Sequence, residues 1–107
     1  MGVKYIWNKN MYYGEKAEQH KKLIKFNMAM GRVKPNTYVI TPAHGKTDML
    51  DIYSAVEFKQ KIYNNSSIHV LGIAKSKDEA LELVKHIVED MYTSTGGFDI
   101  KSFFEIS

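Results

Sequence analysis

The chain has 107 residues, 44% of them hydrophobic and 25% charged, with a formal net charge of +3. That length holds one core and excludes a second domain or a multi-domain catalytic machine. Cysteine is absent, which excludes disulfides, thiolate nucleophiles and zinc sites of the Cys type.

No run approaches the ~20 apolar residues that a membrane span needs, so no membrane partner is expected. The first residues, Met-Gly-Val-Lys-Tyr-Ile-Trp, lack the long apolar stretch of a secretory signal. They begin like a myristoylation site, but Ile6 stands where Ser or Thr is wanted. The expectation is a cytoplasmic protein, which also suits a chain without cysteine.

Val3 to Trp7 reads as a short strand, rich in β-branched and aromatic side chains. Asn8-Lys9-Asn10 reads as a turn. Residues 15–30 read as a helix with Leu23, Ile24, Phe26 and Met30 on its apolar side and Lys21, Lys22 and Lys25 elsewhere. Gly31 suits the helix end, and Pro35 cannot continue it. Thr37 to Thr41 is a strand stopped by Pro42.

Residues 48–63 carry two patterns. Leu50-Asp51-Ile52-Tyr53 alternates like a strand, while Met49, Ile52, Val56 and Tyr63 fit a helical stripe. Helix is favoured for residues 53–63. Asn64 to Ser67 is a turn. Ile68 to Ala74 is apolar on both pleat faces and belongs at the sheet centre. Ser76-Lys77-Asp78-Glu79 has the capping-box spacing. Ala80, Leu83, Val84, Ile87, Val88 and Met91 follow at helical spacing. Phe98 to Ile106 reads as a last strand, with Lys101 and Glu105 suiting an edge position.

The order is therefore β-α-β-(α)-β-α-β in one domain spanning residues 1–107. It predicts an α+β fold, a two-layer α/β sandwich on a four-stranded mixed sheet, leaning towards a ferredoxin-like pair of split βαβ units. A full crossover helix in residues 48–63 would instead give three layers.

The runs Tyr5-Ile6-Trp7, Tyr38-Val39-Ile40-Thr41, Gly72-Ile73-Ala74-Lys75 with Glu79-Ala80, and Gly97-Phe98-Asp99 carry a resemblance over most of the chain. It resembles a group of small uncharacterised bacterial proteins. The resemblance implies a small stand-alone protein and assigns no chemistry.

Charge is uneven. Residues 1–36 carry eight basic groups against two acids, hence +6, whereas residues 37–107 carry seven against ten, hence −3. Such a basic third suits either an anionic partner or an ordinary solvated lysine face. Tyr5, Trp7, Tyr12 and Tyr13 lie among Lys4, Lys9 and Lys16, and rings beside cations are what single-stranded nucleic acids stack on. Tyr12, Tyr13, Lys21, Lys22 and Lys25 are therefore candidate contacts for a nucleic acid or a protein partner. No RNP-type sequence accompanies them.

Two corners carry anion-site signals. Thr41 to Thr47 ends in Gly-Lys-Thr, the tail of a P-loop. Ile40 stands where the first glycine belongs, and Pro42 lacks an amide a phosphate would use. A looser anion site at His44, Lys46 and Thr47 survives that test. The second corner is Gly72 to Lys77, where Lys75 and Lys77 flank a helix start. There Asp78 and Glu79 already answer the helix dipole. In an open α/β sheet both corners could share one edge and bring His44, Lys46, Lys75 and Lys77 together.

The four histidines show neither HxH nor HExxH spacing, so no metal is expected. His44 alone is a candidate general base. No G-x-S-x-G elbow is present. The leading expectation is a small non-catalytic binding or interaction domain without a cofactor, self-associating through an edge strand. A nucleic-acid module and an anion-binding protein or enzyme at the His44 loop are the alternatives.

Overall fold

The computed structural model of the chain describes residues 3–43 and 49–106. Strand β1 (Lys4–Tyr13) runs well past the expected end at Trp7. The turn chemistry of Asn8 is nonetheless present, because its Oδ1 accepts the Asn10 amide at 2.9 Å. That local bond is absorbed as a register shift against the neighbouring strand, between Trp7 and Tyr12, and does not end the strand.

The helix expected over residues 15–30 is two helices. α1 (Glu15–Glu18) and α2 (Lys21–Ala29) are separated at Gln19 and His20. β2 (Tyr38–Pro42) lies where expected. β3 (Leu50–Ser54) corrects the helix favoured for residues 53–63: the alternation of Leu50 to Tyr53 prevails, and only two 3₁₀ turns follow, Ala55–Lys59 and Lys61–Tyr63. Ser54 and Glu57 form a reciprocal capping box at the first turn. β4 is Ser67–Ala74 and α3 is Lys77–Thr95, capped by Ser76 Oγ, which accepts the Glu79 amide at 3.1 Å.

The expected last strand is a helix, α4 (Ile100–Phe104). Ile100 and Phe104 are four residues apart, a spacing that serves a strand face and a helix face equally. Asp99 decides between them by accepting the Ser102 amide at 3.2 Å, as an N-cap does. Both apolar side chains are then buried against α3. The expected edge strand at residues 98–106 therefore does not exist, and the sheet edges belong to β1 and β3.

The sheet order is β1-β4-β2-β3, with β1 parallel to β4 and the other pairs antiparallel. It is the expected four-stranded mixed sheet of an α+β fold. The ferredoxin-like order is not realised, because α4 replaces the closing strand, β3 adds an edge beyond β2, and β1 runs parallel rather than antiparallel to β4. Ile40 and Leu71 pack against Leu83, Ile87, Met91, Ile100 and Phe104 of α3 and α4. That is the expected two-layer unit of sheet and long helix. Val39, Val70 and Ile73 turn the other way, where α1, α2 and Phe58 of the 3₁₀ turns close the opposite face. Each fully buried side chain of this size contributes about 1.5–3 kcal/mol of apolar burial. Among the described residues no helix is long and apolar enough to cross a membrane.

Candidate anion-binding cleft

β1 and β4 are parallel neighbours, yet the chain leaves β1 for α1 on one face and β4 for α3 on the other. Their carboxyl ends therefore flank a switch-point crevice, the usual ligand position of an open α/β sheet. This crevice is lined by Gly14, Glu15, Asp78, Glu79, Glu82 and His86, among others. Glu79 Oε1 accepts the Lys75 amide at 3.2 Å and the Ala17 amide at 3.3 Å. The chain's own carboxylate thus takes the donors that a phosphate would use. Gly14 is what admits it: φ is −63° there, which any residue adopts, but a Cβ would run into the Glu79 side chain. With Glu15, Asp78 and Glu82 around it against the single lysine Lys16, the crevice is acidic and repels anions.

The second concavity has the opposite sign. A cleft of about 240 Å³ between α2 and the end of β4 is lined by His20, Arg32, Lys34 and Lys75. Asn27 and Thr37 add polar groups, Leu23 and Val33 apolar ones, and no acidic residue among those described lines it. None of Arg32, Lys34 and Lys75 makes an ion pair with a described residue. The turn that delivers Arg32 is set by Gly31, which holds φ +75°. The Gly31 amide donates to Met28 O at 3.0 Å and the Arg32 amide to Asn27 O at 2.7 Å. This paired bonding is the Schellman closure of a helix, and it folds Arg32 and Lys34 back along α2 towards Lys75.

Among the described residues, Lys75 is thus the one expected anion ligand that lines this cleft. Its neighbour Lys77 begins α3 and is exposed, outside the lining of either concavity. His44, Lys46 and Thr47 lie outside the described residues. His20, Arg32 and Lys34 were missed as a group because they are scattered over α2 and the segment behind it. The signal available was Gly31 followed at once by Arg32 and Lys34.

The basic and aromatic candidates divide between two faces. Lys21 pairs with Glu18 at 3.1 Å and lies over the Tyr13 ring at 5.3 Å. Lys25 lies over the Trp7 ring, also at 5.3 Å, and Trp7 stacks on Tyr5. Lys22 is exposed. Tyr12 is on the other face, edge-on to Phe104 at 5.9 Å, with its hydroxyl donating to Asp90 at 2.8 Å. Burial, then the Asp90 carboxylate, pushes the Tyr12 phenol far above its ordinary range. Burial also raises Tyr5 and Tyr13. The four N-terminal rings therefore form no common platform.

His69 is remote from both concavities. Its Nε2 meets the Asn8 amide at 3.2 Å, and the same Asn8 Nδ2 donates to Phe104 O at 2.9 Å. Asn8 Oδ1 is already taken by the Asn10 amide, so the amide must present its hydrogens to His69. Nε2 is then the acceptor, and burial holds His69 below its ordinary pKa. Among the described residues no group of His, Asp and Glu is arranged to hold a metal ion. No family model, characterised protein or solved structure matches the chain.

Proposed function

We propose that the protein is a small non-catalytic binding domain of the cell interior, and that its cleft between α2 and β4 receives an anionic group. The observation that carries this reading is the convergence of His20, Arg32, Lys34 and Lys75 on one cleft with no acidic lining residue among those described. Cations gathered without a counter-charge raise the local potential and favour a phosphate or a carboxylate there. The crevice that fold geometry would nominate first is instead held by Glu79, which favours the cleft over the strand-to-helix corner.

The nucleic-acid alternative draws on the +6 charge of residues 1–36. It is weakened by the engagement of Tyr13 and Trp7 with Lys21 and Lys25, and of Tyr12 with Phe104 and Asp90. Thermal unfolding with inorganic pyrophosphate tests the cleft. At ten times its Kd a ligand bound only to the folded state adds about 1.4 kcal/mol, which raises Tm by several degrees in a domain of this size. Lys75→Ala together with Arg32→Ala is expected to abolish that rise. A rise that survives both substitutions, or no rise at all, rejects the reading.

A further inference from the structure

Helix α2 is turned against the usual pattern of a surface helix. Its inward side is Ile24 and Met28, 7% and 2% exposed, and beside them Lys21 and Lys25 are half-buried over the rings of β1. Its outward side is apolar: Leu23, Phe26 and Met30 are 58%, 56% and 54% exposed. Those three residues follow i, i+3, i+7 spacing and form one row. Of the expected apolar side only Ile24 is thus buried, while Leu23, Phe26 and Met30 face water and Lys21 and Lys25 turn inward. An exposed apolar row rimmed by polar residues is a feature of protein contact surfaces.

The row and the cationic cleft are adjacent, because Leu23 belongs to both. We infer that they form one docking surface for an acidic amphipathic helix of a partner protein. Its apolar row lies along Leu23, Phe26 and Met30, and its carboxylates enter the cleft towards Arg32, Lys34 and Lys75. This inference rests on the reading of the cleft as an anion receiver. Leu23 to Met30 spans about 10 Å of helix axis, so a partner helix of about three turns covers it. Charge complementarity selects the occupant. A second copy packed α2 against α2 would juxtapose two clefts of the same sign, a costly arrangement. An acidic helix meets the apolar and cationic features together, as in other helix-on-groove contacts.

Fluorescence anisotropy with three synthetic peptides of about 14 residues tests this. All carry the same leucine row, and the adjacent row is Glu, Gln or Lys. The Glu peptide is expected to bind, the Gln peptide to bind at least about tenfold more weakly, and the Lys peptide not to bind. Phe26→Ser, at a site exposed enough to spare the fold, is expected to weaken the Glu peptide by about tenfold or more. Circular dichroism confirms folding, and Met30→Ser serves as the second variant. Arg32→Glu with Lys75→Glu is expected to erase the preference for Glu over Gln.

If the two serine variants bind like wild type while the charge reversals act, the docking surface is wrong and the anion cleft stands. If the charge reversals leave the Glu preference unchanged, the cleft reading falls and the docking inference falls with it. Failure of all three peptides to bind overturns the inference. So does a doubling of mass on sedimentation that Phe26→Ser removes, which would make a second copy the occupant. An oligonucleotide that binds more tightly than the Glu peptide, and loses that binding in Phe26→Ser, overturns it in favour of nucleic acid.

Discussion

The two concavities of this domain lie back to back around Lys75 and differ in sign. Its backbone amide donates to Glu79, which lines the switch-point crevice, while Lys75 itself lines the cleft with Arg32 and Lys34. The crevice has the fold geometry of a ligand site, and its donors are already satisfied from within. The cleft has no privileged place in the sheet, but its cations have no acidic neighbour in its described lining. Position in a fold thus nominates a site, and the charge balance decides whether anything is left to bind.

The largest expected effect breaks the self-satisfied crevice. Glu79→Ala strands the Lys75 and Ala17 amides and removes the carboxylate from beside α1. Hydrogen bonds to charged groups contribute about 1.5–3 kcal/mol, and these are long at 3.2 and 3.3 Å, so the low end applies. Urea unfolding should show a loss of about 1–2 kcal/mol. The same variant should gain no new pyrophosphate-dependent rise in Tm, because Glu15, Asp78 and Glu82 still surround the vacated amides. A variant as stable as wild type would mean Glu79 holds nothing in place.

Gly14→Ala sharpens the same point from the opposite wall. The added methyl collides with the flexible end of Glu79, which can swing out and forfeit its two bonds. Its cost is therefore bounded by that of Glu79→Ala, again about 1–2 kcal/mol. In the Glu79→Ala background it should cost almost nothing, so the pair is strongly non-additive in a double-mutant cycle. Additive losses would place the role of Gly14 elsewhere.

Some of this was legible in the residues and some was not. The S-x-x-E spacing at Ser76 and Glu79 announced the start of α3, and the acidic residues there already argued against an anion at that corner. The reach of Glu79 to Ala17, 62 positions away, is a tertiary fact with no local signal. Gly31 announced the end of α2, yet which face α2 would bury was misread. Leu23, Phe26 and Met30 fit a helical stripe as well as Ile24 and Met28 do, and only the rings of β1, which receive Lys21 and Lys25, choose between them. At the chain's end, the strand read over Phe98 to Ile106 is a helix, since the four-residue interval between Ile100 and Phe104 is common to both periods. The parallel sense of β1 against β4 was out of reach, because no local pattern fixes the direction in which two distant strands pair.

A smaller effect on stability, with a large one on binding, separates the cleft from the crevice. Arg32 is exposed and makes no ion pair with a described residue, so Arg32→Ala should change stability by no more than about 0.5 kcal/mol. Its response to pyrophosphate should nevertheless fall severalfold. Denaturant midpoints and anion titrations of the one variant give both numbers. A large stability loss would make Arg32 a structural residue and remove the contrast with Glu79.

The smallest expected effect is a pH dependence that neither concavity supplies. His69 must be neutral for Nε2 to accept from Asn8, and the same Asn8 amide holds the end of α4 through Phe104 O. Burial lowers its pKa in the folded protein below the ordinary 6.5. Between the two values the unfolded chain binds a proton that the folded one does not, so stability rises with pH across that window. The contribution of His69 is then complete above about pH 6.5 and is lost as pH falls towards the folded value. The ring is partly solvated, so the change is modest. The chain carries other histidines, and a single profile would not isolate His69. His69→Gln offers an acceptor oxygen that does not titrate, and the difference between its urea midpoints and those of wild type at pH 7.5 and 5.5 removes the other histidines. Wild type should lose more than the variant on acidification. Parallel losses would show that the Asn8 amide does not depend on the charge of His69, and that α4 is held by Ile100 and Phe104 alone.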